Sequence, residues 1–310
     1  MLGSVSMSGI VMKGNNVSKP LVTYAQNRED FYLWALLGHR KDGFYVDVGS
    51  HHPEFHSVTK LFYDRGWRGI NIEPNPLLHK TFIGARKRDT NLNLGVADKE
   101  GMLRFRNYPN HNGLSTFSEA IMELHEQEGL PYEDSKVKVV PISQLLKKYK
   151  VPHIDFMKID VEGFEVEVMK GNDWNKFRPS VLAIEATVRK EIAPLVKELG
   201  YKLEFFDGLN NYYLDTRADD DLTIYNYAPR ILSTGHYTSR ELELNKKIAK
   251  LEEKVAATQA ALIEKDHERQ KLENEVLEMG RFKNQPRNMA MASRHLAQRY
   301  AAKFNKREET

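Results

Sequence analysis

Two short apolar runs end on acids, at a spacing that suits a ligand site. Phe44-Tyr-Val-Asp-Val-Gly-Ser50 carries Asp47 and Gly49, and Gly69-Ile-Asn-Ile-Glu-Pro74 carries Glu73. One strand–helix–strand unit separates the acids, so a doubly wound sheet would bring both to the carboxyl edge of its strands, where ligands bind. A carboxylate at the tip of the second strand can accept two hydrogen bonds from a ribose diol. The turn after the first strand has one glycine, Gly49, followed by Ser50, His51, His52 and Pro53. A pyrophosphate cradle uses more glycines. The pattern therefore predicts a ribose-bearing cofactor with no phosphate on this turn, which fits S-adenosylmethionine better than a dinucleotide. Gly49 is expected to admit the methionine end closely, and Asp47 to bond its amine directly or through water.

A second acidic group closes a later apolar run, Lys158-Ile-Asp-Val-Glu-Gly163. Residues two apart on a strand share a face, so Asp160 and Glu162 can reach one cleft. One of them is a candidate general base for a hydroxyl acceptor. Alternatively, Asp160 and Glu185, at the tips of adjacent strands, form the start of a Mg²⁺ site. A third reading makes Asp160 a cofactor-binding acid that orients the cofactor and has no proton role. His51, His52, His56 and His111 fall in loops bordering such a cleft, and a near-neutral pKa fits an acceptor base. His51 and His52 rank first because they adjoin the cofactor turn. Leu114-Ser-Thr-Phe117, after Asn110-His-Asn-Gly113, reads as a lid or an acceptor loop. Phe205, Phe206, Tyr212 and Tyr213 read as a sugar-stacking group or as core.

Apolar runs at 44–48, 69–73, 92–97, 137–142, 154–160 and 180–185 read as strands, with helical segments between them such as Ser57 to Arg65 and Ser143 to Tyr149. Alternation of this kind predicts an α/β domain over residues 20–235 with a mostly parallel sheet, closed by antiparallel strands within 201–227. Residues 1–19 read as a flexible segment. From Arg240 there is no Gly or Pro until Gly280, and a heptad pattern places Ile248, Val255 and Leu262 at a and Leu244, Leu251 and Thr258 at d. The register continues through Lys265, Arg269, Leu272, Val276 and Met279, so residues 240–280 are expected to form a coiled coil and a homo-oligomer. β-Branched residues at a with Leu at d favour a parallel dimer, while the polar centre leaves the oligomer state open. In residues 281–310, Met289, Ala292, Leu296, Tyr300 and Phe304 share one helical face among basic residues. Such a helix suits an anionic membrane surface or an acidic partner groove.

The 310 residues are 41% hydrophobic and 29% charged, enough for one substantial domain and an appendage. Cysteine is absent, which excludes disulfides, thiolate zinc sites and a cysteine nucleophile. The first residues carry no apolar signal-type core, and no apolar run reaches membrane-spanning length. The expected location is cytoplasmic, with a peripheral place on the inner face of the membrane as an option, and no nucleic-acid partner is expected.

Five motifs together resemble the FkbM family of S-adenosylmethionine-dependent methyltransferases. They are Tyr24-Ala-Gln-Asn-Arg-Glu-Asp30, Asp47-Val-Gly-Ser-His-His-Pro53, Gly66-Trp-Arg-Gly-Ile-Asn-Ile-Glu-Pro-Asn75, Leu114-Ser-Thr-Phe117 and Phe156-Met-Lys-Ile-Asp-Val-Glu-Gly163. The resemblance covers about residues 20–230 and implies a class I, Rossmann-like methyltransferase fold with methyl transfer to an oxygen, often on a sugar. It also implies that Asp98, after the third strand, accepts the adenine amino group, although Asp98-Lys-Glu-Gly101 is a good turn in its own right. The coil and basic tail lie outside the family core. Their order after the catalytic domain suggests a glycan or glycolipid acceptor, a terminal sugar of a growing polysaccharide such as an O-antigen capped by methylation. The coil would then be a spacer of roughly 55–60 Å that sets chain length, docked by its tail on the membrane or a membrane-bound glycosyltransferase. A polyketide or other small-molecule acceptor, and a non-catalytic dimeric scaffold, are the competing readings.

Overall fold

The computed structural model describes residues 21–218, 236–281 and 294. The chain divides into two units, residues 1–241 and 242–310. The first unit begins with β1 (Leu21–Thr23), α1 (Glu29–Leu37), β2 (Phe44–Val48), α2 (Lys60–Asp64), β3 (Arg68–Ile72), α3 (Pro76–Ala85) and β4 (Thr90–Leu92). It continues with β5 (Gly95–Val96), β6 (Gly101–Asn107), α4 (Glu119–Gln127), β7 (Glu133–Val140), α5 (Ile142–Lys148), β8 (Ile154–Ile159) and α6 (Glu165–Lys170). The last elements are β9 (Pro179–Glu185), α7 (Arg189–Glu198), β10 (Tyr201–Phe206), β11 (Asn210–Asp215), β12 (His236–Thr238) and the long helix α8 (Ser239–Arg281).

Seven strands form the main sheet in the order β10-β11-β9-β8-β2-β3-β4. The five from β9 to β4 are parallel, and β11 and β10 close the β9 edge as an antiparallel pair. A parallel sheet covered on both faces needs strands apolar throughout, and β8 is buried at every position. Alternate residues then feed two cores: Val46, Val48, Ile70 and Met157 on one face, and Tyr45, Phe156 and Val181 on the other, against Leu33, Leu36, Phe62 and Trp67. The chain winds outward from β2 through β3 and β4, then returns to β8 on the other side. That reversal leaves a crevice at the carboxyl ends of β2 and β8.

The expected doubly wound sheet is present, with several differences in the strands around it. The single run expected at 92–97 is broken: β4 stays in the main sheet, and β5 leaves it for a second, three-stranded sheet in the order β5-β7-β6. The strand expected at 137–142 is the end of β7 and belongs to that second sheet, and β6 was not anticipated. Arginines at 104 and 106 obscure β6 in the sequence, yet Arg106 is buried, ion-paired to Asp134 and Glu126 beneath the Tyr132 ring. Helix α8 covers the expected 240–280 segment, and its apolar side chains Leu244, Ile248, Leu251, Val255 and Leu262 are exposed. Among the described residues no helix is long and apolar enough to cross a membrane. The expected flexible segment at 1–19 and the basic helix at 282–310 lie outside the described residues, apart from Arg294.

The connection from Ser50 to Thr59, which carries three histidines, is held by Arg86 just past α3. This guanidinium is fully buried. It donates from Nε and Nη2 to the Pro53 carbonyl at 3.0 and 2.7 Å, and from Nη2 to Ser57 Oγ at 2.9 Å. Tyr45 Oη and the Thr59 carbonyl accept from Nη1, with the Asp89 carboxylate 3.7 Å away. Removing such a group strands several buried acceptors and one acid. Arg86→Met should therefore lower the unfolding free energy by about 3–5 kcal/mol, as read by urea denaturation; a loss below about 1 kcal/mol would contradict this account.

Candidate functional site

A cavity of about 500 Å³ opens at the carboxyl ends of the central strands, within the size range of small-molecule pockets. Its floor is the junction of β2 and β8. Gly49 takes φ +78, and a Cβ there would lie 1.8 Å from the Asp160 carbonyl oxygen. The position needs glycine twice, for its left-handed backbone and because the end of β8 occupies the side-chain volume. Its N–H and that of Ser50 both donate to the Ile72 carbonyl, at 3.0 and 3.1 Å, folding the turn toward β3.

Lys158, next to last in the buried strand β8, organises this floor. Its ammonium donates to the Gly49 carbonyl at 2.7 Å and lies 3.1 Å from the Asp160 carboxylate and 3.6 Å from that of Asp47. Burial alone would lower its pKa, but the carboxylates of Asp160 and Asp47 outweigh burial and raise it. Asp47 is buried under the turn and does not line the cavity. One oxygen accepts from Thr59 Oγ1 at 3.0 Å; the other has no hydrogen-bond partner among the described residues. Asp47, expected to bond the cofactor amine directly or through water, thus lies beneath the cavity floor, and strand alternation turns it toward Lys158.

Glu73 lies at the cavity wall just past β3. One oxygen accepts the N–H of His51 and the other that of Asn75, both at 2.8 Å. Each oxygen keeps a second lone pair, so two hydroxyls can still be accepted. Burial pushes this carboxyl up to about 8, against the two N–H donors and Lys158, which lower it. Asn75 caps α3 through its side-chain oxygen, fixing the Glu-Pro-Asn corner.

Asp160, Glu162 and Glu185 converge, with one oxygen from each lying within 4.8 Å of the others. Glu162 reaches the group because its own backbone is left-handed, at φ +52; β8 has already ended at Ile159, so strand alternation is not the cause. Thr116 holds that turn, its hydroxyl donating to the Glu162 carbonyl at 2.8 Å. The Leu114–Phe117 motif is therefore a brace as well as cavity lining. Burial, then the Asp160 and Glu165 charges, push Glu162 up to about 8. Burial, then Asp160 and Glu162, push Glu185 up to about 9. The group is an oxygen donor set of the kind Mg²⁺ takes, once its protons are displaced.

His51 lines the cavity, its ring stacked on His56 at 6.3 Å between centroids. Burial, then the charges of Lys158 and His56, lower its pKa, so the ring is neutral and able to accept a proton near pH 7. His52 does not line the cavity. Its Nδ1 accepts the N–H groups of Glu54 and Phe55 at 3.1 Å, closing a turn. His56 and His111 do line it. Asp98 lies on an exposed turn 3.9 Å from Lys99 and outside the lining, since the chain leaves the main sheet after β4 and carries Asp98 with it. Tyr212 and Tyr213 are core residues; Phe205 stacks on Tyr212 at 4.6 Å, Phe206 is exposed, and none of the four lines the cavity.

Two contributors were not singled out from the sequence. Lys158 was signalled by a charged residue inside an apolar strand. Glu29, at the start of α1, lines the cavity and is buried, which raises its pKa. Its carboxylate accepts from the Asn27 N–H and from Asn210 Nδ2; it lies within the Tyr24–Asp30 motif, which carried no role for it in the sequence reading.

The family model described as "Methyltransferase FkbM domain" matches residues 47–204, just over half of the chain. No curated protein matches at a significant level. Among solved structures, the chain is similar to methyltransferase FkbM from Methylobacillus flagellatus KT at 14% identity, covering 59% of this chain and 47% of that one, with a TM-score of 0.37. The match thus spans about half the length of that relative. The fibrillarin pre-rRNA processing protein of Methanococcus jannaschii is 13% identical over 66% of this chain and 86% of its own, TM-score 0.34. Precorrin-6y C5,15-methyltransferase from Geobacter metallireducens GS-15 is 13% identical over 64% and 94%, TM-score 0.31.

Glu73→Ala should weaken S-adenosylmethionine binding by about 1.5–3 kcal/mol, the scale of charged hydrogen bonds. The accepting form is the carboxylate, which appears as pH rises through about 8. Affinity measured by calorimetry should therefore increase from pH 7 to 9, and that increase should vanish in Glu73→Gln. The same pH slope in both proteins would remove Glu73 from ribose recognition.

Proposed function

The chain belongs to the family of the FkbM methyltransferase domain, and we propose that it transfers a methyl group from S-adenosylmethionine to a sugar hydroxyl of a glycan. The observation that carries this reading is the joint placement of Glu73 and the Asp160–Glu162–Glu185 group on one cavity of about 500 Å³. The first suits a ribose diol, the second an acceptor hydroxyl that must lose a proton. The bound cofactor would supply an electrophilic methyl on a sulfonium.

The chain's own residues have distinct tasks in this proposal. Glu73 holds the ribose hydroxyls, and the Gly49 turn shapes the floor. Lys158 fixes Asp160 at 3.1 Å. The acceptor hydroxyl donates its hydrogen bond to the acid group, and its proton passes there as the oxygen gains its methyl. Asp160 and Glu162 are the proposed acceptors, with the neutral His51 ring beside them as an alternative. If Mg²⁺ is used, the same three carboxylates would hold it and orient the hydroxyl oxygen.

A glycan is favoured over a small diffusible acceptor by the order of parts along the chain. A free small molecule gives no reason for a 43-residue helix followed by a basic stretch of sequence, whereas a polymer growing at a membrane does. Methylation of a terminal sugar would also remove the nucleophile needed for the next extension, so capping is part of the proposal. Mass spectrometry of glycans from cells with and without the protein should reveal one methyl group on a terminal sugar; an unchanged glycan profile would oppose the glycan acceptor while leaving cofactor binding untouched.

Asp160→Asn should lower kcat by about 10²–10⁴ with little change in cofactor Kd. Wild-type kcat should rise from pH 7 to 9 as Glu162 and Glu185 lose their protons, since the base is the ionised form. Near wild-type turnover in Asp160→Asn would place the base elsewhere. Activity lost to a chelator and restored by Mg²⁺ would assign the three acids to a metal.

A further inference from the structure

We propose that α8 binds α8 of a second copy of this chain in antiparallel orientation. The helix runs 43 residues, and its apolar positions Leu244, Ile248, Leu251, Val255 and Leu262 are each about half exposed or more. A long helix whose other positions are mostly charged needs a partner to cover such a stripe. The charge pattern identifies both the partner and its direction.

In a parallel pair each core residue faces its own copy. Lys265 would then meet Lys265 and Arg269 would meet Arg269 inside the seam. On the flanks, Lys247 would attract Glu252, but Glu268 would repel Glu273. An antiparallel pair sets a positions against d positions. One register places Ile248 opposite Leu272, Val255 opposite Lys265, Leu262 opposite Thr258 and Leu251 opposite Arg269, so no two like charges share a core layer. The g positions of antiparallel helices face each other. In this register Lys247 meets Glu275 and Lys254 meets Glu268 of the second copy, each twice by two-fold symmetry. The e positions contribute one like-charged pairing, Glu252 with Asp266.

In this register the two-fold axis passes beside Ala260, and the charge distribution along the helix agrees with it. Lysines gather at g in the first half of the helix and glutamates at g in the second. A parallel pair makes no use of that polarity, whereas an antiparallel pair requires it.

The full chain has no cysteine, so Lys246→Cys and Ala260→Cys, both at exposed outer positions, can each carry a single nitroxide. In the antiparallel dimer the two 246 positions stand about 42 Å apart along the axis, at 1.5 Å rise per residue. The two 260 positions lie level with each other. Sedimentation equilibrium should give the mass of a dimer, and the dipolar distance at 246 should exceed that at 260 by roughly 20 Å or more. Equal distances at the two positions would mean a parallel pair, and a monomeric mass or one above a dimer would mean another covering for the stripe; each overturns the proposal. Glu268→Lys should weaken the dimer roughly tenfold, and adding Lys254→Glu to the same chain should restore it. Tighter association in Glu268→Lys would overturn the antiparallel order, since a parallel pair would gain an attraction to Glu273.

Discussion

An ammonium ion buried in the middle of an apolar sheet persists only if its surroundings neutralise it and satisfy its three donors. Lys158 meets that demand with the Gly49 carbonyl and the carboxylates of Asp160 and Asp47, and the architecture of the site follows from it. The β2 turn, the end of β8 and the start of α2 are drawn to one point, because Asp47 also accepts from Thr59, the residue preceding α2. The connection between them is gripped from its other side by the buried Arg86. His51 and His56 thus stand on a segment fixed between two buried cations, which is a rigid mount for residues on a loop.

The same neighbourhood is short of positive charge. Glu29, Glu73, Asp160, Glu162 and Glu185 line the cavity with Lys158 as the cation among them. Burial, and mutual repulsion among Asp160, Glu162 and Glu185, keep protons on several of these acids into the alkaline range. An acid-rich cavity of this kind would shift toward its ionised, negative form beside a positively charged sulfonium. It also has carboxylates of differing proton affinity within reach of one another, the arrangement by which environment assigns acid and base roles to like residues.

The small second sheet, which departs from the simplest alternating plan, has a defined part in positioning. By leaving the main sheet after β4, the chain brings β6 and β7 over the cavity side, with Phe105 and Phe117 packed together at 4.8 Å. The backbone of Arg106 pairs with Thr116, and Thr116 in turn holds the Glu162 carbonyl. Packing in the second sheet is thereby coupled to the backbone that presents an acid to the site. The departure also carries Asp98 away from the cavity.

Several features were determined by the sequence itself. The mostly apolar runs at 44–48 and 154–159 read as strands covered on both faces, and a 43-residue span with heptad spacing forms the continuous helix it implies. Gly49, Glu73 and Asp160 were legible as candidates because each follows such a run directly, where a parallel sheet collects its loops, and all three line the cavity. Tertiary structure decided the rest. Whether Asp47 faces ligand or core depends on which way the pleat turns it, and Lys158 settles that from an element more than a hundred residues away. Glu162 arrives through a left-handed residue whose brace, Thr116, lies 46 positions earlier. His52 and Asp98 match their motifs locally, yet a turn bond and a departing strand keep them out of the cavity. Spacing along a chain fixes which strand a residue ends; only packing between distant segments fixes where its side chain points.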